Sequence, residues 1–120
     1  MQQPAFSNYK KIETTVHGVT YGNRQDTIRR FCRAGMPVML RREPNNPRDI
    51  RAISVWIKGS SLVVFEKDMQ IGYIPSAKAD KLAPIMDAGG VVRGQVIRIT
   101  GGTRDKVTFG VVLELEVWSN

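Results

Sequence analysis

Apolar and polar residues alternate with a period of two along several stretches of the chain, a pattern typical of half-buried β-strands. These stretches predict short strands at residues 11–19, 36–42, 51–57, 69–75, 91–100 and 107–118. The last two flank the turn GGTRDK and pair most simply as a hairpin. The predicted buried face of the final strand consists of Val107, Phe109, Val111, Leu113, Leu115 and Val117.

The period changes to that of an α-helix in two stretches. Ile28, Phe31 and Cys32 fall at positions i, i+3 and i+4, and Gly35 is placed to end this first helix as its C-cap. A second helix is predicted to have Ser76 as its N-cap and to stop at the sequence AGG. The predicted apolar face of this helix consists of Ala79, Leu82, Ala83 and Met86.

Short strands, two short helices and glycine-rich turns predict a fold dominated by β-structure. About six strands would form a small, partly open β-barrel plugged by the helices, because closure hides most of the sheet edges. With 120 residues, the chain is close to the commonest domain size. We therefore expect a polar N-terminal tail at residues 1–10 and a single domain at residues 11–120.

Basic residues outnumber acidic ones and are concentrated in one part of the sequence. The chain has 18 Lys and Arg residues against 11 Asp and Glu residues, a net charge of +7. A polyanion, most simply nucleic acid, is the first partner to expect, and an anionic membrane surface is the second. Arginine binds phosphate bidentately and stacks on bases, so the arginine-rich stretch favours nucleic-acid binding. The alternative is that these arginines only form a solvated basic surface. The arginines between residues 24 and 51 are Arg24, Arg29, Arg30, Arg33, Arg41, Arg42, Arg48 and Arg51.

Residue types that catalysis and metal binding require are scarce in this sequence. His17 is the single histidine and Cys32 the single cysteine, so a structural zinc site would lack its ligands. The strand position of His17 and the apolar helix position of Cys32 favour structural roles for both. A magnesium-dependent nuclease would need clustered carboxylates, whereas those of this chain are scattered among arginines. We expect no catalytic residue, no metal and no cofactor.

Signals for membrane insertion or export are also missing from the pattern. No apolar run is long enough to span a bilayer, and the opening MQQPAFSNYKK has no apolar signal core. A lone cysteine cannot form an internal disulfide. These features predict a cytoplasmic protein without a membrane partner.

The stretch LRREPNNPRDIRAISV, residues 40–55, places a charged loop between two predicted strands. Pro44 and Pro47 fix φ on either side of two asparagines, a residue type that caps turns with its own side chain. Such a rigid loop would hold charged side chains at a defined place on the barrel rim. Asp49 would either bond to loop amides or accept a hydrogen bond from a ligand hydroxyl.

This loop and the segments around it resemble the HIRAN domain family. The family signature runs through LRREPNNPRDIRAISV and on to IGYIPSAKADKLAPIMDAG, and the earlier VHGVTYGN matches as well. The resemblance covers roughly residues 15–95, and its ordered motifs are specific. It is a resemblance to the stand-alone, bacterial or phage-type members.

The resemblance implies a small OB-like β-barrel that binds DNA without catalysing a reaction. In the helicase members of the family, this module captures the 3′-hydroxyl end of single-stranded DNA, which implies a link to DNA repair or replication. By position, Tyr21 matches the family's first stacking tyrosine, Asp49 the aspartate that binds the hydroxyl, and Asn46 a polar loop contact. Stacking platforms in a positive groove are typical of single-strand binding.

Other positions depart from the helicase pattern. Arg48 replaces a second stacking aromatic, Thr20 and Ser76 stand where those members have basic residues, and Tyr73 stands where they have a histidine. Because Arg48 and Tyr73 can still stack on bases, the departures favour general DNA binding over strict 3′-end recognition. The residues predicted to contact DNA are Tyr21, Arg42, Asn46, Arg48, Asp49, Arg51, Tyr73 and Ser76.

A protein-interaction module that docks a larger nuclease, helicase or phage assembly is the alternative function. The stretch KGSSLVVFEKD, residues 58–68, is longer than the usual connection of the family. It is either a plain longer turn or an edge hairpin used for self-association. A third possibility, an enzyme acting at DNA ends, is supported only by the residues around Asp49.

Overall fold

The stretches with β-type alternation form strands, and the two stretches with helical spacing form helices. The computed structural model describes residues 6–59 and 66–120. The middle of the candidate hairpin at 58–68, residues 60–65, lies outside the described residues. The strands are β1 (Asn8–Thr15), β2 (Pro37–Arg42), β3 (Ile53–Gly59), β4 (Lys67–Tyr73), β5 (Val91–Thr100) and β6 (Gly110–Ser119), and the helices are α1 (Arg24–Phe31) and α2 (Ser76–Asp87).

These six strands form an antiparallel sheet in the order β1-β6-β5-β2-β3-β4. The predicted hairpin of β5 and β6 is confirmed, with Val96 opposite Leu113. The register shifts between Val96 and Arg98 in this pair, and between Val55 and Trp56 in the pair of β3 and β4. Such β-bulges bend a strand and increase its twist, so they favour a curved sheet.

The two edge strands approach each other at one end of the sheet. Just after β1, the backbone of His17 exchanges two hydrogen bonds of 2.8 Å with the backbone of Tyr73 at the end of β4. Gly72 permits this approach, because a Cβ atom there would lie 2.2 Å from the carbonyl oxygen of His17. The fold is therefore dominated by β-structure with two short helices, consistent with the small, OB-like and partly open barrel that was expected.

The apolar core is built from alternate residues of the central strands and from one face of each helix. Ile53, Val55 and Ile57 of β3 are fully buried, and Ile28 and Cys32 are buried on and just after α1. The predicted faces of α2 and β6 are confirmed for Ala79, Leu82, Ala83, Val111, Leu113, Leu115 and Val117, while Met86 and Phe109 pack against the core partly buried. Within the described ranges, no helix is long and apolar enough to cross a membrane.

Strand β6 begins later than the alternation predicts. Val107 was assigned to the buried face, but it is 77% exposed and precedes the first strand residue, Gly110. The side chain of Gln25 accepts a hydrogen bond from the N–H of Phe109 at 2.8 Å and donates one to its carbonyl oxygen at 2.9 Å. The backbone at Phe109 is therefore paired with α1, so Val107 lies in the turn rather than in the strand.

Strand β1 lies closer to the N-terminus than the prediction of 11–19. It pairs with β6 from Asn8 opposite Ser119 to Thr15 opposite Val112. The last three residues of the predicted tail are thus part of the sheet, because β6 extends far enough to pair with them.

The predicted C-cap of α1 is wrong. The helix ends at Phe31, and Cys32 follows in an extended conformation with φ −83° and ψ 128°. The guanidinium of Arg33 donates hydrogen bonds to the carbonyl oxygens of Arg30 and Cys32 at 3.0 and 2.9 Å. Gly35, with φ +90°, lies farther on in the turn that leads to β2. A basic side chain therefore satisfies carbonyl groups that a glycine cap would otherwise serve.

Helix α2 begins with Ser76 as its first residue, so the predicted N-cap is also wrong. Pro75, with φ −52° and ψ 138°, occupies the cap position, and no side chain caps the helix. The Pro75 carbonyl oxygen accepts hydrogen bonds from the N–H groups of Lys78 and Ala79, both at 2.9 Å. The helix ends at Asp87, before the AGG sequence, as predicted.

Candidate nucleic-acid interface

A groove of about 580 Å³ opens where the two edge strands meet. Its walls come from four places that are distant in sequence: the segment after β1, the start of α1, the β2–β3 loop and the junction of β4 with α2. The predicted DNA-contacting residues that line it are Tyr21, Asn46, Arg48, Asp49, Tyr73 and Ser76. Closure of the sheet at His17 and Tyr73 is what brings these segments together.

Asn46 and Asp49 hold the β2–β3 loop in its shape. Asn46 Oδ1 accepts hydrogen bonds from the backbone N–H groups of Arg48 and Asp49 at 2.9 and 3.2 Å. Asp49 Oδ1 accepts one from the N–H of Arg51 at 2.8 Å. These are the local side-chain turns that asparagine and aspartate favour. The other carboxylate oxygen of Asp49 has no hydrogen-bond or ion-pair partner among the described residues, so it is available to a ligand donor.

Glu43 does not line the groove, but it binds two residues that do. Its Oε1 accepts hydrogen bonds from Asn46 Nδ2 at 2.9 Å and from the Tyr73 hydroxyl at 3.0 Å. Partial burial alone would raise the pKa of the Glu43 carboxyl, but these hydrogen bonds and the nearby charge of Arg24 outweigh it and lower the pKa. Glu43 is therefore ionised at neutral pH, and it fixes the orientation of Asn46 and Tyr73. Sequence reasoning missed this residue, although it stands in the motif REPNNP.

An arginine lies between the two tyrosines of the groove. The Arg24 Cζ atom is 5.1 Å from the ring centroid of Tyr21 and 5.5 Å from that of Tyr73. Arg24 Nη1 also donates a hydrogen bond of 2.8 Å to the carbonyl oxygen of Gly18. Both ring contacts are within the range of cation–π attraction. The sequence placed Arg24 in the arginine-rich stretch, but only its neighbours in space distinguish it from the other arginines.

Arg42 and Arg51 do not line the groove. The Arg42 guanidinium donates hydrogen bonds to the carbonyl oxygens of Ala52 and Ile50 at 2.8 and 3.0 Å, and it binds both carboxylate oxygens of Asp87 at 2.9 and 3.1 Å. Only 14% of its side chain is exposed. Arg42 therefore braces the loop that presents Asp49, whereas Arg51 is exposed outside the groove.

Most of the other arginines of the basic stretch have local partners. Arg29 and Arg30 both pair with Asp26, at 2.8 and 3.2 Å. Arg41 pairs with Asp68, and its Cζ atom lies 4.4 Å from the ring centroid of Trp56. Arg24 and Arg48 are the members of the stretch that reach the groove. Most arginines of the basic stretch thus make structural contacts, and a smaller number face the groove.

The single cysteine and the single histidine lie in different surroundings, the first buried and the second exposed. Burial raises the pKa of the Cys32 thiol to about 11, since the apolar surroundings disfavour a thiolate. His17 is exposed and its backbone takes part in sheet closure. Within residues 6–59 and 66–120, no three His, Cys, Asp or Glu side chains are grouped so that they could hold a metal ion.

A curved sheet beside a groove that is lined by two tyrosine rings, an available carboxylate and two arginines defines a small β-barrel binding module. The chain belongs to the HIRAN domain family, whose profile matches residues 9–116. HIRAN domains are known as DNA-binding modules. The match extends beyond the motif region recognised in the sequence, because it includes β1 and most of β6.

Solved structures show the same similarity. The crystal structure of the HIRAN domain of human HLTF matches with a TM-score of 0.62 and 25% identity, over 92% of this chain and 76% of that chain. The crystal structure of a protein from Lactobacillus plantarum matches with a TM-score of 0.64 and 26% identity, over 94% of this chain and all of that one. No curated protein sequence matches the chain significantly. Both structures support the assignment of the fold.

Proposed function

We propose that this domain is a non-catalytic module that binds single-stranded DNA or DNA 3′ ends in DNA repair or replication. The observation that carries the proposal is the convergence of Tyr21, Asp49 and Tyr73 on one groove. Each group suits a different part of a nucleotide: rings stack on bases, and a carboxylate accepts from a sugar hydroxyl.

Two further residues that line this groove can contact phosphate. Arg48 is exposed on the loop and its side chain has no hydrogen-bond or ion-pair partner among the described residues. Ser76 opens α2, and the first turn of that helix carries no acidic side chain. A helix N-terminus attracts anions through its unpaired N–H groups and its dipole, which supports a phosphate near Ser76.

The position of Asp49 supports recognition of a strand end. Its Oδ1 is committed to the loop and its other carboxylate oxygen is available, so it can accept a hydrogen bond from a free 3′-hydroxyl. A 3′-phosphate would instead place a second negative charge close to the Asp49 carboxylate, and the repulsion between them disfavours binding of the phosphorylated strand. The proposal therefore includes a preference for the free hydroxyl.

Fluorescence-polarisation titrations test the proposal directly. Short single-stranded oligonucleotides with a 3′-hydroxyl, the same strands with a 3′-phosphate, and duplexes are compared at two salt concentrations. We expect tightest binding to the free 3′-hydroxyl and weaker binding at the higher salt concentration. The variant Asp49→Asn keeps an acceptor for the Arg51 N–H but removes the charge, so the discrimination against 3′-phosphate should shrink.

Other outcomes separate the parts of this proposal. Equal, salt-sensitive binding of all three ligands would leave a general phosphate-binding surface and contradict end recognition. Absence of binding to every oligonucleotide would contradict DNA binding and favour the module that docks a protein partner.

A further inference from the structure

Arg24 combines a fixed position with hydrogen-bonding capacity that the fold leaves unused. Its guanidinium carries five N–H donors. Nη1 donates to Gly18, and the described residues provide no other hydrogen-bond acceptor for its side chain and no carboxylate within ion-pair distance. The cation therefore faces the groove with most of its donors open.

Glu43 influences Arg24 without binding it. The charge of Arg24 contributes to the lowered pKa of the Glu43 carboxyl, so the two groups are close enough to interact through space. The hydrogen bonds to Glu43 Oε1, however, come from Asn46 and Tyr73. The carboxylate thus orients the neighbouring tyrosine while the guanidinium donors stay available.

We propose that Arg24 is the central phosphate-binding residue of the groove, and that it clamps a phosphodiester of the nucleic acid strand whose base stacks on Tyr21. This inference rests on the proposed function and deepens it. Tyr21 is 73% exposed, so Arg24 covers only part of its surface and leaves room for a base. The Arg24 guanidinium can therefore bind a phosphate through the N–H donors at its edge while its positive charge remains near both tyrosine rings.

Preorganisation distinguishes Arg24 from the other groove arginine. The Arg48 side chain is exposed and would lose conformational freedom on binding a phosphate. Arg24 is already held by Gly18, Tyr21 and Tyr73, so it loses less. Because it starts α1 and faces β4, it also lies at the meeting point of the groove walls.

The test compares Arg24→Ala, Arg24→Lys and Arg98→Ala by oligonucleotide titration over a series of salt concentrations. Arg98 is an exposed cation whose side chain pairs with Glu13 at 3.6 Å and which does not line the groove, so its replacement controls for net charge. We expect Arg24→Ala to weaken single-strand binding at least about tenfold, because a charge-assisted hydrogen bond is lost. The negative slope of log K against log salt should become shallower by about 0.7, the value for one phosphate of a single strand.

Arg24→Lys distinguishes the effect of the guanidinium geometry from the effect of the positive charge. Lysine keeps the positive charge but lacks the planar fork, so the salt slope should stay close to that of the wild type while only part of the affinity returns. Arg98→Ala should bind like the wild type. Thermal unfolding of each variant shows whether the fold is retained, and a change of salt slope at an unchanged Tm is not explained by a structural role.

Two results would overturn the inference, and they differ from failure of the proposed function. If the wild type binds DNA and Arg24→Ala binds it with the same affinity and salt slope, Arg24 is not a phosphate ligand. If Arg98→Ala loses as much oligonucleotide affinity as Arg24→Ala, the loss of affinity is due to the change in net charge. If the wild type binds no oligonucleotide, the proposed function fails and the inference fails with it.

Discussion

Tyr21 and Tyr73 face the same groove, but they are held to different degrees. Tyr73 ends β4, pairs through its backbone with His17 and donates its hydroxyl to Glu43. Tyr21 precedes α1 and is 73% exposed, with a cation–π contact to Arg24. A large exposed ring contributes little to folding, and this ring lines the same groove as Asp49 and contacts Arg24, which supports the proposed binding role of Tyr21.

Replacing Tyr21 should affect binding much more than folding. We expect Tyr21→Ala to weaken single-strand binding by about 1–3 kcal/mol through loss of one stacked base, with little change in the free energy of unfolding. Tyr21→Phe keeps the ring and should retain most of the affinity. Tyr9→Ala removes another exposed tyrosine, one outside the groove, and serves as the control. An equal loss for single-stranded and duplex DNA would argue against stacking.

The β2–β3 loop is an element whose shape depends on residues at its base. Its own asparagine and aspartate form the local turns, and Arg42 ties the far side of the loop to Asp87 at the end of α2. Arg42 is among the residues predicted to contact DNA, but four of its five guanidinium N–H donors are occupied by the fold. We therefore assign it a positioning role, in which it affects Asp49 through the loop.

Arg42→Ala should destabilise the protein and disorder the loop. The change leaves the carbonyl oxygen of Ile50 without its partner and removes one of the two hydrogen bonds that the Ala52 carbonyl oxygen accepts, so we expect the free energy of unfolding to fall by about 1–3 kcal/mol in denaturant titrations. Asp87→Asn should cost less, because it affects only the exposed partner of Arg42. DNA affinity should fall in Arg42→Ala together with stability. Unchanged stability with weaker binding would instead make Arg42 a direct contact.

At the scale of the whole molecule, sheet curvature and the core together create the groove. Strands β1 and β4 are at opposite edges of the sheet, and they approach only because the sheet bends until His17 meets Tyr73. The core fills the space inside this bend and includes Cys32 beside α1. Loss of global packing would therefore expose the thiol and separate the groove walls at the same time.

Cys32 is a natural probe of this packing. Because it is buried and its thiol pKa is raised to about 11, it should not react rapidly with a disulfide reagent such as Ellman's reagent in the folded protein at pH 8. In denaturant, the same thiol should react at once and in full. Rapid, complete reaction of the native protein would show that the region around α1 opens readily or that the thiol is accessible.

Much of the fold could be predicted from the sequence because its signals are local. The hairpin of β5 and β6 follows from two alternating runs around a glycine-rich turn, and the buried face of α2 follows from helical spacing. The error at Val107 has a tertiary cause, since Gln25 of α1 pairs with the backbone that the alternation would have placed in β6. The wrong cap at Gly35 likewise reflects the Arg33 side chain, whose contacts no periodicity reveals.

The sequence by itself determined the number and approximate positions of the strands and helices, the family motif, the proline-flanked loop and the excess of positive charge. Periodicity, turn residues and charge are properties of neighbouring positions, so they can be seen in the chain before it folds. Only the tertiary structure decided which arginines pair with acids, which brace the loop and which face the groove. Arg24 acquires its proposed role from Gly18, Tyr21 and Tyr73, because a groove residue is defined by distances that arise only when distant segments pack together.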